Sequence, residues 1–181
     1  MLCKLCQTEC SRLAKSHIVA RGFFPRKPKG KLLYTACGNG DSRKLQNALW
    51  DSNIVCDKCE HDILAPLDEC AVRVFSHHES SMRWNDDKGS EAAVFARVDR
   101  RNLRAYFASL LWRCSMSVLP EYSKFIIGKT YEERIAIDLL SNGEFSYIDA
   151  IVSYLKNELH GGMVISGRTR LGMRGSSSQW F

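Results

Sequence analysis

Residues 56–64 read CDKCEHDIL, and residues 3–6 read CKLC. Each C-x-x-C unit can grip a metal ion from a tight knuckle turn. Two such units complete a tetrahedral set of four thiolates around one zinc. In a reducing compartment, paired C-x-x-C units are metal sites more often than disulfides. A redox C-x-x-C is expected beside a βαβ pattern, and the flanking sequence has none. Cys3, Cys6, Cys56 and Cys59 are therefore expected to hold a structural Zn²⁺. Forty-nine residues separate Cys6 from Cys56, whereas simple zinc ribbons place about 15–20 between their pairs. Something substantial is inserted between the knuckles.

The insert begins with CSRLAKSHIVARGFF, residues 10–24. A short strand is expected around SHIVA, followed by a turn. His17 is either a core histidine bonded to a backbone carbonyl or a base beside a metal ion. The pair Phe23 and Phe24 either packs into a core or stacks on bases. KLLYTA (31–36) suggests a second short strand. CGNGDSRK (37–44) reads as a turn-rich loop, and RKLQNALW (43–50) as a short helix. Cys10 and Cys37 are either substitute ligands or small buried thiols.

After the second knuckle, Ile63, Leu64, Leu67, Ala71 and Val74 recur at steps of three and four residues, which predicts a helix over about 60–76. Its N-terminal end, beside the zinc, would expose Glu60 and His61. Glu60 either complements the helix N-terminus or binds a metal. Pro66 is tolerable only near a first turn.

Residues 77–90, HHESSMRWNDDKGS, are polar and turn-prone and are expected to link two parts. Residues 1–76 would form the zinc-knuckle module. Residues 91–181 would form a mainly helical domain with a short β-like tail. In that second part Leu103, Tyr106, Phe107, Leu110, Leu111 and Cys114 share one helix face, and TYEERIAIDLLS and SYIDAIVSYLKNEL suggest two more helices, the second with Ser146 as N-cap. Cys70 and Cys114 fall on apolar faces. His77, His78 and His160 read as solvated or helix-end histidines.

The 181 residues are 45% hydrophobic and 25% charged, ordinary for a globular protein. No apolar run reaches the roughly 18–20 residues of a membrane span, and the N-terminus lacks a signal-peptide pattern. A cytoplasmic protein with reduced thiols and no membrane partner is expected. The net charge of +6 is concentrated early: residues 1–50 hold ten Lys/Arg against two acids. Lys15, Arg21, Arg26, Lys27, Lys29 and Lys31 are candidate contacts to a phosphate backbone; the plain alternative is a solvated basic loop.

A first C-x-x-C, a Ser-His segment, a long insert and a second C-x-x-C opening a helix resemble the HNH, or ββα-metal, endonuclease superfamily in its zinc-knuckle form. KSHIV (15–19), CDKCE (56–60), LLWRCSMS (110–117) and GKTYEE (128–133) are similar to segments of an HNH-like subgroup. The resemblance implies an α+β fold, with a zinc-stapled ββα-metal module and a helical region after it. It implies phosphodiester hydrolysis in DNA or RNA, with His17 as general base and Glu60 as ligand of a catalytic Mg²⁺ or Mn²⁺. His61, Asp57, Asp51 or Asn53 would supply a further ligand. It also implies a protein partner for the helical region, of the kind found in phage-defence cassettes. Two departures stand out: Ser16 occupies the position where aspartate is usual, and Asn53 is out of register. Serine is a poor ligand for Mg²⁺. The alternative is a zinc-stapled module that binds nucleic acid or a partner protein without catalysis.

Overall fold

A computed structural model describes residues 1–24, 33–36, 42–45, 48–76, 82–87, 90–95 and 98–148. The fold mixes helices with small sheets, as the α+β expectation required. Each sheet has two antiparallel strands: β1 (Ser16–His17) with β4 (Trp50–Asp51), β2 (Leu33–Ala36) with β3 (Ser42–Leu45), and β5 (Met82–Asp87) with β6 (Ser90–Phe95). The pair β2–β3 is nested in sequence between β1 and β4.

Although β1 and β4 are only two residues long, hydrogen bonds extend their pairing at both ends. Ala14 N donates to Val55 O at 2.8 Å and Ile18 N to Leu49 O at 3.1 Å, while Lys4 N in the first knuckle donates to Ile54 O at 2.8 Å. Ile18, Ala48, Ile54 and Val55 are all buried. Their apolar burial, at roughly 25 cal/mol per Å², holds a ladder that two backbone pairs alone could not.

Helix formation starts inside the second knuckle. Asp57–Cys59 forms α1, a π-helical turn spans Glu60–Leu64, and α2 follows over Ala65–Ser76. The expected helix is present and begins slightly earlier than the periodicity suggested. Pro66 is the second residue past the π turn. There its missing N–H falls where the hydrogen-bond ladder is already changing spacing. Leu64, Leu67, Ala71 and Phe75 are buried.

Two expectations based on local pattern need correction. The helix expected over residues 43–50 is absent: Ser42–Leu45 is strand, its residues paired Leu33↔Leu45 through Ala36↔Ser42, because pairing with a preformed strand outweighs weak helix propensity. Met82–Asp87, inside the segment expected to be turn-prone, is also strand. It carries the alternation Met-x-Trp and meets the apolar Val94 and Phe95 end of β6.

Helix α3 (Arg100–Met116) opens with Asp99 as N-cap, which accepts from Asn102 N at 3.0 Å. Helix α4 (Lys129–Ser141) ends with Asn142 in the left-handed conformation. One continuous core joins Leu5, Ile18 and Val55 to Tyr106, Trp112, Ile135 and Ile148. Phe23 belongs to this core, its ring 6.0 Å from those of Phe75 and Tyr106. The 3₁₀ turn Arg21–Phe23 lies so close to α2 that a Cβ on Gly22 would stand 2.6 Å from both Val72 methyls.

Asp51, 2% exposed, ties β4 to the end of α3. It accepts from Ser117 Oγ at 2.8 Å, Val118 N at 2.9 Å, Asn53 N at 2.8 Å and Asn53 Nδ2 at 2.9 Å. Burial alone would raise its pKa, but these four donors outweigh burial and hold it below the usual value. Asp51→Asn is expected to lower unfolding free energy by about 2 kcal/mol at pH 7, read by urea denaturation at constant m-value.

Candidate metal centre and the ladder beside it

The four knuckle cysteines converge. The Sγ atoms of Cys3, Cys6, Cys56 and Cys59 all lie within 4.8 Å of one another. Cys3 to Cys59 and Cys6 to Cys56 are each 3.9 Å. A tetrahedron with metal–sulfur bonds of about 2.3 Å has edges of about 3.8 Å, whereas a disulfide needs about 2.05 Å. The set could hold a metal ion such as zinc. Cys56 N donates to Cys3 Sγ at 3.3 Å, a bond that orients one ligand sulfur from the opposite knuckle.

Burial raises the thiol pKa of Cys3 and of Cys59. At Cys6 burial acts in the same sense, but the Thr8 hydroxyl and backbone outweigh it and bring the thiol down to about 6. Four thiolates this close repel one another unless a cation lies between them. Among the described residues, no other group of three or more His, Cys, Asp or Glu side chains converges in this way. Cys10 stands apart, its Sγ 3.2 Å from Met1 O. Cys70 and Cys114 are buried in the core.

The cluster anchors one end of the β1–β4 ladder, which has two unlike faces. Ser16 pairs with Asp51, and both are buried; His17 pairs with Trp50 on the opposite face. Trp50 is 42% exposed. Lys15 is exposed and its Nζ lies 4.8 Å from the Trp50 ring centroid, a cation–π contact contributing about 0.5–1 kcal/mol at such a site. His17 is half-buried. Burial lowers its pKa, opposed by Asp68 and reinforced by Arg21 and Arg113.

Behind the ladder lies a charged pair that sequence reasoning missed. Arg113, 0% exposed, donates to Asp68 at 2.7 and 3.1 Å and to the backbone oxygen of His17 at 2.5 Å. It also donates to Ser109 Oγ at 3.2 Å. The guanidinium thus fastens α3 to α2 and to β1 at once. An arginine inside the apolar LLWR face was the available signal, since such a residue is buried only with a partner. Asp68→Asn leaves this buried cation uncompensated and is expected to cost about 3 kcal/mol of stability, measured by urea denaturation; Asp68→Asn with Arg113→Met should recover part of it.

Glu60 lies on the inner side of the same region. Burial raises its pKa, with the charge of Arg113 pulling the other way. Neither Ser16 Oγ nor Glu60 Oε2 has a hydrogen-bond partner among the described residues. The expectation that the helix start exposes Glu60 is thus corrected: the residue is half-buried, with Oε2 shielded from solvent. His61 is exposed, with Nδ1 2.8 Å from Asp57 O. Asp57 pairs with Arg12 at 3.0 Å. Asp51 and Asn53, expected as possible metal ligands, are committed to each other and, for Asp51, to the α3 end. Ser146 and Tyr147, expected to open a helix, form a turn; Arg26, Lys27, Lys29, Lys31, Cys37, His77, His78 and His160, and the rest of that expected helix beyond Ile148 with the β-like tail, lie outside the described residues.

Comparison of the chain with family models, with curated proteins and with solved structures returns no match. No helix among the described residues is long and apolar enough to cross a membrane.

If the cluster holds zinc, purified protein should carry one zinc per chain by elemental analysis. Cys56→Ser or prolonged chelation should abolish the cooperative thermal transition followed by circular dichroism; a transition unchanged after complete metal removal would show that the site is not a staple.

Proposed function

We propose that this chain acts on nucleic acid as a zinc-stapled nuclease of HNH type, with His17 as general base. The observation that carries the reading is the juxtaposition of a four-thiol cluster with a strand that presents a half-buried histidine on its outer face. A lowered pKa keeps the imidazole neutral near pH 7, the form that accepts a proton from an attacking water. Arg113 fixes the His17 backbone, so the ring is held from a rigid support.

Phosphoester cleavage also needs positive charge on the phosphate. Glu60 is the residue that the HNH resemblance would assign to a Mg²⁺ or Mn²⁺ ion; its unpartnered Oε2 is buried on the Ser16 side of the ladder, so its carboxylate would have to turn outward to hold an ion at a phosphate beside His17. When bound, the ion would supply charge stabilisation and orient the leaving oxygen. The zinc-stapled module would be residues 1–76, with the helical remainder as its support and as a surface for a partner protein.

A second reading has its own observation. Ser16 occupies the usual aspartate position, and Glu60 gathers no second carboxylate or imidazole into a three-ligand set among the described residues. In that reading the module binds nucleic acid without cutting it.

Cleavage of plasmid and single-stranded DNA with Mg²⁺ or Mn²⁺ separates the two. His17→Ala with full zinc content should lose about a hundredfold or more in rate. Because the His17 pKa lies below 6.5, wild-type activity should rise with pH below that value and level off before neutrality. Equal rates for wild type and His17→Ala, or no cleavage by either, would leave the binding reading.

A further inference from the structure

The outer face of the β1–β4 ladder carries a combination that the proposed chemistry does not use. In the antiparallel register Trp50 stands directly across from His17, so both side chains leave the same side of the ladder. Trp50 is exposed although tryptophan is usually well buried. Lys15 covers its ring, and Arg21 lies near enough to His17 to act on its charge. Both cations are exposed. The ring has a fixed seat: Ile18 N bonds Leu49 O just before it, and Asp51 is locked just after it.

We infer that this face is a stacking platform for an unpaired nucleotide, with Trp50 taking the base and Lys15 and Arg21 the flanking phosphates. The geometry favours a single strand. A base stacks on an aromatic face only when that face of the base is free, as in unpaired nucleic acid. A duplex offers its phosphates but keeps its bases inside, so it could use the cations without the ring. Stacking a base is worth more than an exposed lysine–tryptophan contact. The base therefore displaces the ammonium, which is then free to meet a phosphate one nucleotide away. A nucleotide held on Trp50 has its phosphate beside His17, its cross-strand neighbour.

The inference rests on the nucleic-acid part of the proposed function and is independent of whether the chain cuts. It therefore calls for a binding measurement without divalent cations. Fluorescence anisotropy of the zinc-loaded full chain would use a labelled 15-nucleotide thymidine strand and a labelled blunt hairpin duplex as probes. Wild type should prefer the single strand. Trp50→Leu, which keeps an apolar side chain in the strand, should lose about tenfold or more in single-strand affinity, and Trp50→Phe should retain most of it. The slope of affinity against salt should stay the same in both variants, because the phosphate contacts remain. Lys15→Gln should flatten that slope instead. Single-strand binding unchanged in Trp50→Leu, equal affinity for the two probes, or no binding by wild type would each overturn the inference. Trp50-dependent binding by a protein that never cleaves would refute the nuclease reading and leave this one standing.

Discussion

Four thiols brought within 4.8 Å of one another across a 49-residue separation are the constraint on which the rest depends. Without them the β1–β4 ladder is two two-residue strands with no local reason for residue 16 to face residue 51. With the knuckles joined, Lys4 reaches Ile54 and Ala14 reaches Val55, and the β1–β4 register follows. A register slip by one residue would turn His17 inward and Ser16 outward. The cluster therefore determines which side chain meets solvent.

A second fastening works from the far side. Arg113 crosses 96 residues of sequence to hold the His17 carbonyl, and it takes its countercharge from Asp68 on α2. Asp51 performs the matching task on β4 by receiving Ser117 and Val118. The end of α3 thus grips both strands of the ladder, one through a buried cation and the other through a buried anion. Lys4 Nζ adds a third tie at 2.6 Å to Met116 O. The helical part is in this sense the floor of the ladder, and the core runs without a break from one to the other.

What could be read in the chain follows from the range of the interactions. The cysteine quartet was legible because metal-ligand spacing is a local signature. The helices containing Leu67 and Tyr106 were legible because apolar periodicity is local too. Arg43–Leu45, expected to open a helix, is strand because its partner strand, not its own composition, decides its conformation. Arg113 showed only as a charge on an apolar helix face, and Asp68 and Asp51 gave no sign of their partners, since each acts through a residue far away in sequence. Trp50 looked like the apolar end of a helix, and only the register with His17 turns it toward solvent. Glu60 was placed correctly at the helix start, yet its burial depends on neighbours such as Ser16 and Arg113 that lie far away in sequence.

The central claim is that the knuckles form one tetrathiolate metal site. X-ray absorption at the zinc edge on the zinc-loaded protein tests it most directly. One tetrathiolate site gives a single shell of four sulfur scatterers at about 2.3 Å. A shell containing nitrogen or oxygen at about 2.0 Å, or fewer than four sulfurs, would contradict it.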